Sequence, residues 1–250
     1  MSGATSVLGC RVDACGVDEA VARILELARG DVPASVITLG TEMVVRARRD
    51  PSFRSALNAS ALSLCDTVGV LYAARARGLH LEGRVTGIDL LDPLCAALAR
   101  EGLAVYLLGA KGDTAARAGA ALAARHPGLR IAGARDGYFG PAQDDEAAAT
   151  IRASGARVLL VGLGSPRQEL WVADHLAKTG ALVGIGVGGS FDVLAGNVER
   201  APEVWRRLNV EWLYRLMKEP WRWRRQLALP AFVLLALQER LTAGRGSSTA

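Results

Sequence analysis

Two periodicities alternate along this chain. VDEAVARILELAR (17–29) carries its apolar residues at helical spacing, and ASVITLG (34–40) is a short β-rich run ending in glycine. EMVVRARRDPSFRSALNAS (42–60) returns to helical spacing, and Pro51 divides it into two pieces. In ALSLCDTVGVLYAARARG (61–78) a brief apolar run leads to Asp66 and then to another helical stretch. Thr38 and Asp66 therefore both fall where a strand gives way to a helix.

The middle of the chain is more regular. Residues 103–139 read as strand, glycine turn, helix and strand, and residues 156–196 repeat that order. Continuous apolar strands such as 158–163, separated by helices, predict a parallel sheet covered on both faces. The expected fold is α/β, a Rossmann-like parallel sheet flanked by helices, with a helical C-terminal appendage. Ligands of open parallel sheets gather at the carboxyl ends of the strands. That rule points at Gly109, at GSPRQE (164–169) and at GVGGSFD (186–192). Glycine and alanine give way to tryptophan and arginine near Arg200, so the predicted division is a catalytic domain over 1–200 and an appendage over 201–250, the last residues frayed.

Composition narrows the setting. Half of the residues are hydrophobic, yet no run approaches the roughly 20 apolar residues of a membrane-spanning helix. LALPAFVLLAL (227–237) is too short and contains a proline. The first residues lack the basic leader and apolar block of a secretory signal, which predicts a cytoplasmic protein. Cys10, Cys15, Cys65 and Cys95 form no Cys-x-x-Cys pair and share no metal-ligand spacing with histidine, so reduced structural thiols are expected and no metal site. The net charge is +5. Residues 200–225 hold eight basic residues against three acidic ones, and with them Trp205, Trp212, Trp221 and Trp223.

Several motifs admit chemistry. The glycine turns suit phosphate binding at helix starts, or serve tight turns alone; GAKGDTA (109–115) is neither a dinucleotide fingerprint nor a P-loop. In GSPRQE, Gly164 opens a polar cluster that puts Gln168 and Glu169 at the site edge, while Ser165 as N-cap and Pro166 at the first position describe an ordinary helix start. Asp66 is the acidic residue best placed as general base, or else caps the helix that follows. Arg84 is a phosphate or carboxylate ligand or a solvated loop arginine. His80, His126 and His175 form no triad spacing. Nothing resembling a nucleic-acid-binding motif accompanies the basic segment, so nucleic acid is not an expected partner.

The succession VITL, EMVVRARRDPSF, a strand-end aspartate, RVTGIDLLD, VYLLG, DGYF, LLVGLGSPRQE, GVGGSFDVLAGNVERAPEVW and EWLYRLMKEPWRWRR resembles the WecG/TagA/CpsF family of bacterial glycosyltransferases from about Gly9 to Arg225. The resemblance implies transfer of a sugar, of the N-acetylmannosamine type or another hexose or uronic acid, from a UDP-sugar to a saccharide on polyprenyl diphosphate. It implies inversion without a metal ion or other cofactor, in the synthesis of a cell-surface polysaccharide. Asp66 falls on the proposed base for the acceptor hydroxyl. Thr38, Arg84 and Gln168 fall on residues lining sugar and diphosphate, and Gly164, Glu169, Gly188 and Asp192 lie in the same motifs. Arg215, Arg222 and Arg225 fall on the C-terminal arginines. Their spacing places them on one helical face, unless two helices meet at Pro220. Arginine suits a diphosphate whose charge no metal meets.

Tryptophan, arginine and the apolar 227–237 stretch also suit the inner leaflet of the cell membrane, to which peripheral attachment is expected. The same tryptophans packing onto the body is the competing reading. A homo-oligomer is compatible with all of this. Two positions depart from the family pattern. Thr-x-Asn reads Thr38-Leu39-Gly40 here, and Asp-Gly reads Asp66-Thr67. Gly40 removes an amide from the sugar site and Thr67 adds bulk beside the base, so donor and acceptor need not be those of relatives. A nucleotide-sugar-binding or regulatory module of the same fold, without transfer, is the alternative.

Overall fold

Six of the apolar runs become the strands of one sheet. They are β3 (Ala34–Leu39), β4 (Leu62–Cys65), β5 (Ala104–Gly109), β6 (Arg130–Arg135), β7 (Val158–Gly162) and β8 (Val183–Gly186). The computed structural model describes residues 3–208, 210–218, 220, 223 and 227–246. All pairings in this sheet are parallel, in the order β4-β3-β8-β7-β5-β6. β1 (Ala4–Val7) and β2 (Cys10–Asp13) form a separate antiparallel hairpin.

Alternation along the strands supplies two apolar faces. Val158 and Leu160 of β7 join one core, with α1 (Val17–Arg29), α5 (Gly87–Glu101), α6 (Thr114–Arg125) and α9 (Ser190–Leu194). Leu159 and Val161 face the other side, against α7 (Asp144–Ser154) and α8 (Arg167–Thr179). On that side the cover is continued by α2 (Thr41–Ala47), α3 (Pro51–Asn58) and α4 (Val68–Arg75), with the hairpin behind them. The break expected at Pro51 is there: Asp50 caps α3 by accepting from the Phe53 N–H at 3.0 Å, with Pro51 in the first turn.

The hairpin was not foreseen. Its turn holds Leu8 and Gly9 at φ +52 and +84, the left-handed pair of a tight hairpin, where Asn-Gly is the usual signal. It shields the edge strand. Asp13, itself held by Arg11 at 2.7 Å, accepts from the Ser63 N–H of β4 at 2.8 Å, so that edge is covered.

After residue 200 the chain forms α10 (Glu203–Arg207), α11 (Glu211–Lys218) and α12 (Ala228–Gly246). α12 packs on α2 and α4 and drives Phe232 into the core, where it is 2% exposed. Arg77, just beyond α4, pairs with Glu239 of α12. The four cysteines are buried and unpaired, as expected of structural thiols; burial pushes the Cys65 thiol up to about 12. Among the described residues no helix is long and apolar enough to cross a membrane.

Candidate active site

The carboxyl ends of β4, β3, β8 and β7 border a cleft of about 330 Å³. Thr38, Gly40, Asp66, Thr67, Arg84, Gly164, Gln168 and Gly188 all line it, so eight of the residues singled out from sequence converge. They come from four strand ends and the loop before α5. Five helices start on the cleft, since Thr41, Val68, Gly87, Ser190 and Glu211, the first residues of α2, α4, α5, α9 and α11, belong to its wall. Helix starts present unpaired N–H groups and a partial positive charge, which favours an anionic ligand. None of the three histidines lines it.

Backbone ladders fix the walls. The Asp66 N–H donates to the Leu39 carbonyl at 3.1 Å, which extends the β3–β4 pairing by one residue and sets the aspartate at the sheet's rim. The helix after it starts at Val68 with Thr67 in the capping position, so Asp66 is not the cap. The Val85 N–H donates to the Cys65 carbonyl at 2.7 Å and brings Arg84 alongside that rim. Thr86 caps α5, accepting from the Asp89 N–H at 3.2 Å. The Thr38 hydroxyl donates to the Gly186 carbonyl at 3.1 Å, which spends its proton on β8 and leaves its lone pairs for a ligand.

The first turn of α8 differs from expectation. The helix starts at Arg167, Pro166 holds the capping position after a cis Ser165–Pro166 bond, and Ser165 is not the cap. Arg167 donates from both terminal nitrogens to the Gly137 and Phe139 carbonyls, each at 2.6 Å, and its guanidinium lies 4.7 Å from the Phe139 ring centre. That arginine pins the loop after β6. Gln168 faces the cleft, with its carbonyl accepting from the Gly188 N–H at 3.2 Å. Glu169 points inward: it is 6% exposed and takes the Gln168 amide proton at 2.7 Å. Burial pushes its carboxyl up, and the negative charge of Glu42 adds to that, against hydrogen bonds from Gln168 and Ser165.

Other sequence candidates lie elsewhere. Glu169 does not line the cleft, and neither do Gly109 and Asp192. Gly109 sits opposite Gly162 in the β5–β7 register, at φ +136, and a Cβ there would come within 2.8 Å of the Gly162 Cα. Its glycine serves a close approach of two strands. Asp192 fastens the turn after α9: its backbone carbonyl accepts from the Asn197 N–H at 2.8 Å and its side chain from the Asn197 amide at 3.3 Å. Arg215 stands on α11 with its side chain outside the described residues, and Arg222 and Arg225 lie outside them altogether. Glu42, Glu211, Trp212 and Leu229 line the cleft without having been singled out as site residues. A carboxylate at a helix start looks like ordinary dipole compensation, which hides Glu42 and Glu211 from sequence reasoning.

A profile of the Glycosyl transferase WecG/TagA/CpsF family matches residues 5–246. The chain belongs to this family of glycosyltransferases. It is 34% identical over 209 residues, which is 83% of this chain and 80% of the relative, to an N-acetylglucosaminyldiphosphoundecaprenol N-acetyl-beta-D-mannosaminyltransferase of Bacillus subtilis (strain 168).

In this glycosyltransferase the two departures from the family pattern turn out to be neighbours. A Cβ on Gly40 would lie 3.4 Å from the Thr67 methyl and 4.0 Å from Asp66 Oδ2. The Thr67 hydroxyl accepts from the Thr41 N–H at 3.1 Å, so α2, whose own capping residue is Gly40, receives a cap from the next strand's loop. The glycosyltransferase's last helices complete the rim: Glu211 and Trp212 of α11 and Leu229 of α12 all reach it. Trp205 instead packs on Tyr214, ring centres 5.7 Å apart, and Trp223 is exposed.

Proposed function

We propose that this glycosyltransferase moves a sugar from a UDP-sugar to a saccharide carried on polyprenyl diphosphate, with inversion and without a metal ion. The observation that carries the reading is the convergence of Asp66, Thr38, Arg84 and Gln168 on one cleft that five helix starts also face. The relative's printed name, which specifies a diphosphoundecaprenol acceptor and transfer of N-acetylmannosamine, supports the acceptor class. It leaves open here which sugar is moved.

In the proposed reaction the Asp66 carboxylate takes the proton of the acceptor hydroxyl as that oxygen bonds to the anomeric carbon. The bond from that carbon to the UDP oxygen breaks on the opposite face, and UDP leaves with the electron pair. Arg84 and the starts of α4 and α5 meet the charge that grows on the diphosphate. Among the described lining residues, however, Glu42, Asp66 and Glu211 stand against the single guanidinium of Arg84. Arg215, Arg222 and Arg225, which fall on the family's C-terminal arginines, are the further cations proposed for the diphosphate. Thr38 and Gln168 orient the sugar by hydrogen bonds.

The reading also places the enzyme on the inner face of the cell membrane, where a polyprenyl carrier is anchored. Phe232 holds α12 to the body, while Val233, Leu234 and Leu237 of the same helix stand exposed, as do Trp223, Leu227 and Met217. Side chains of this kind beside a basic segment favour an anionic lipid surface.

The test is a panel of UDP-sugars with a short-chain polyprenyl-diphosphate saccharide, assayed with and without liposomes and EDTA. Turnover of one donor, a loss of about 10²–10⁴-fold in Asp66→Asn, and indifference to EDTA are expected. Donor binding without turnover would favour the non-catalytic module, and strict dependence on added manganese or magnesium would overturn the metal-free mechanism.

A further inference from the structure

Gln168 is held from two sides, and only one of the groups that hold it is backbone. A backbone N–H can only donate, so the amide atom 3.2 Å from the Gly188 nitrogen is the carbonyl oxygen. The NH₂ group is then turned to Glu169 Oε1 at 2.7 Å. Beneath the amide lies the last residue of β8. A Cβ on Gly186 would come within 2.6 Å of Gln168 Nε2 and 3.4 Å of Glu169 Oε1, so both side chains occupy space that only a glycine leaves.

Resting on the transferase reading above, we propose that Glu169 is a positioning residue: it never touches substrate, but fixes the Gln168 amide so that its second N–H is presented to the ligand in the cleft. Three features support this beyond the hydrogen bond itself. Glu169 is buried behind Gln168 and lines no part of the cleft. Its Oε2 is buried and makes no hydrogen bond of ordinary geometry among the described residues, so burial outweighs the hydrogen bonds the carboxyl does receive and the neutral acid is favoured. The rise in its carboxyl affinity for protons, caused by burial, agrees. A neutral acid with its proton on Oε2 keeps Oε1 as a pure acceptor, the role the amide requires. An uncharged acceptor also leaves the cleft free of one more negative charge beside the diphosphate.

The experiment uses the full-length protein in three single variants, Glu169→Gln, Glu169→Met and Gln168→Met, and the double variant Gln168→Met/Glu169→Met. Glutamine keeps an acceptor oxygen at the same reach; methionine keeps the volume without it. Glu169→Met should lower kcat for the UDP-sugar about tenfold or more, with KM for the acceptor little changed. Glu169→Gln should recover most of that loss. The double variant should be no slower than Gln168→Met alone, because a residue acting through another adds nothing once that other is gone. Losses that multiply in the double variant overturn the proposal, as does Glu169→Gln being as slow as Glu169→Met at equal melting temperature.

A second readout needs no activity. In the wild type one Nε2 proton of Gln168 should exchange slowly with solvent by NMR; the slow proton should persist in Glu169→Gln and vanish in Glu169→Met. Rapid exchange of both protons in the wild type overturns the proposal whatever the kinetics. Slow exchange in a wild type that turns over no donor would instead leave the positioning intact and remove the transferase reading.

Discussion

Phe232→Ala should detach the C-terminal helix from the body while leaving the body folded. The ring is 2% exposed, in the cluster that also holds Met43 and Val44 of α2 and Val70 and Ala74 of α4, with its edge 3.4 Å from where a Cβ of Gly69 would sit. Truncating a buried phenylalanine costs about 3–5 kcal/mol. The other named tie of α12 is the Arg77–Glu239 ion pair, whose side chains are 27% and 36% exposed. A solvated pair of that kind contributes about 0–1 kcal/mol. Leu235 and Ala236 add partly buried contact, but the ring is the largest single contribution.

Once it is gone, undocking is cheaper for the chain than leaving a cavity between α2 and α4. Hydrogen exchange followed by mass spectrometry reads this directly. Peptides from 228–246 should lose protection, while those from β3 and α5 keep theirs, and transfer should collapse because Leu229 leaves the cleft rim. Unchanged protection of 228–246 would refute the reasoning. So would its loss only together with the body in a single transition, because the appendage would then be one cooperative unit with the sheet.

Three more outcomes can be checked. Gly40→Asn and Thr67→Gly should each impair transfer, the first by crowding the Thr67 methyl and the second by uncapping Thr41 at a cost of about 1 kcal/mol, whereas the double variant should recover and change its preference across a donor panel; independent, multiplying effects would break the coupling. Glu169 holds its proton more tightly folded than unfolded, chiefly through burial and secondarily through the negative charge of Glu42. That contribution to stability is full below the unfolded value near 4.5 and is lost as pH rises through the folded value. Wild-type melting temperature should therefore fall relative to Glu169→Gln as pH rises above about 4.5, and parallel curves would contradict it. Gly109→Ala should destabilise the fold by about 3 kcal/mol or more, since it adds a Cβ against Gly162 at a positive φ; a melting temperature within 2–4 °C of wild type would be too small a change.

Strand ends were the most legible part of the site. Thr38 and Asp66 were placed by nothing more than an apolar run stopping and a helical stripe beginning, and both stand on the cleft. The same rule pointed equally at Gly109, because sequence does not say which strand ends a ligand shares. Only the order β4-β3-β8-β7-β5-β6 decides that the cleft opens along β4, β3, β8 and β7 and leaves Gly109, on β5, outside its wall. Gln168 and Glu169 were read together as site-edge residues. Telling them apart needs the packing of α8: consecutive helical residues point about 100° apart, and only the placement of α8 over Gly186 shows that Gln168 meets the cleft and Glu169 the interior. The β1–β2 hairpin escaped because Leu8 occupies a left-handed position that its residue type does not advertise.

The opening turn of α8 has one more consequence. Arg167, Gln168 and Glu169 are consecutive, and successive residues of a helix point about 100° apart. One reaches the loop after β6, the next the cleft, the third the interior. Three destinations thus share a single index. Inserting or deleting one residue between Gly164 and Arg167 would rotate all three at once, so this short stretch should tolerate exchange of side chains far better than any change of length.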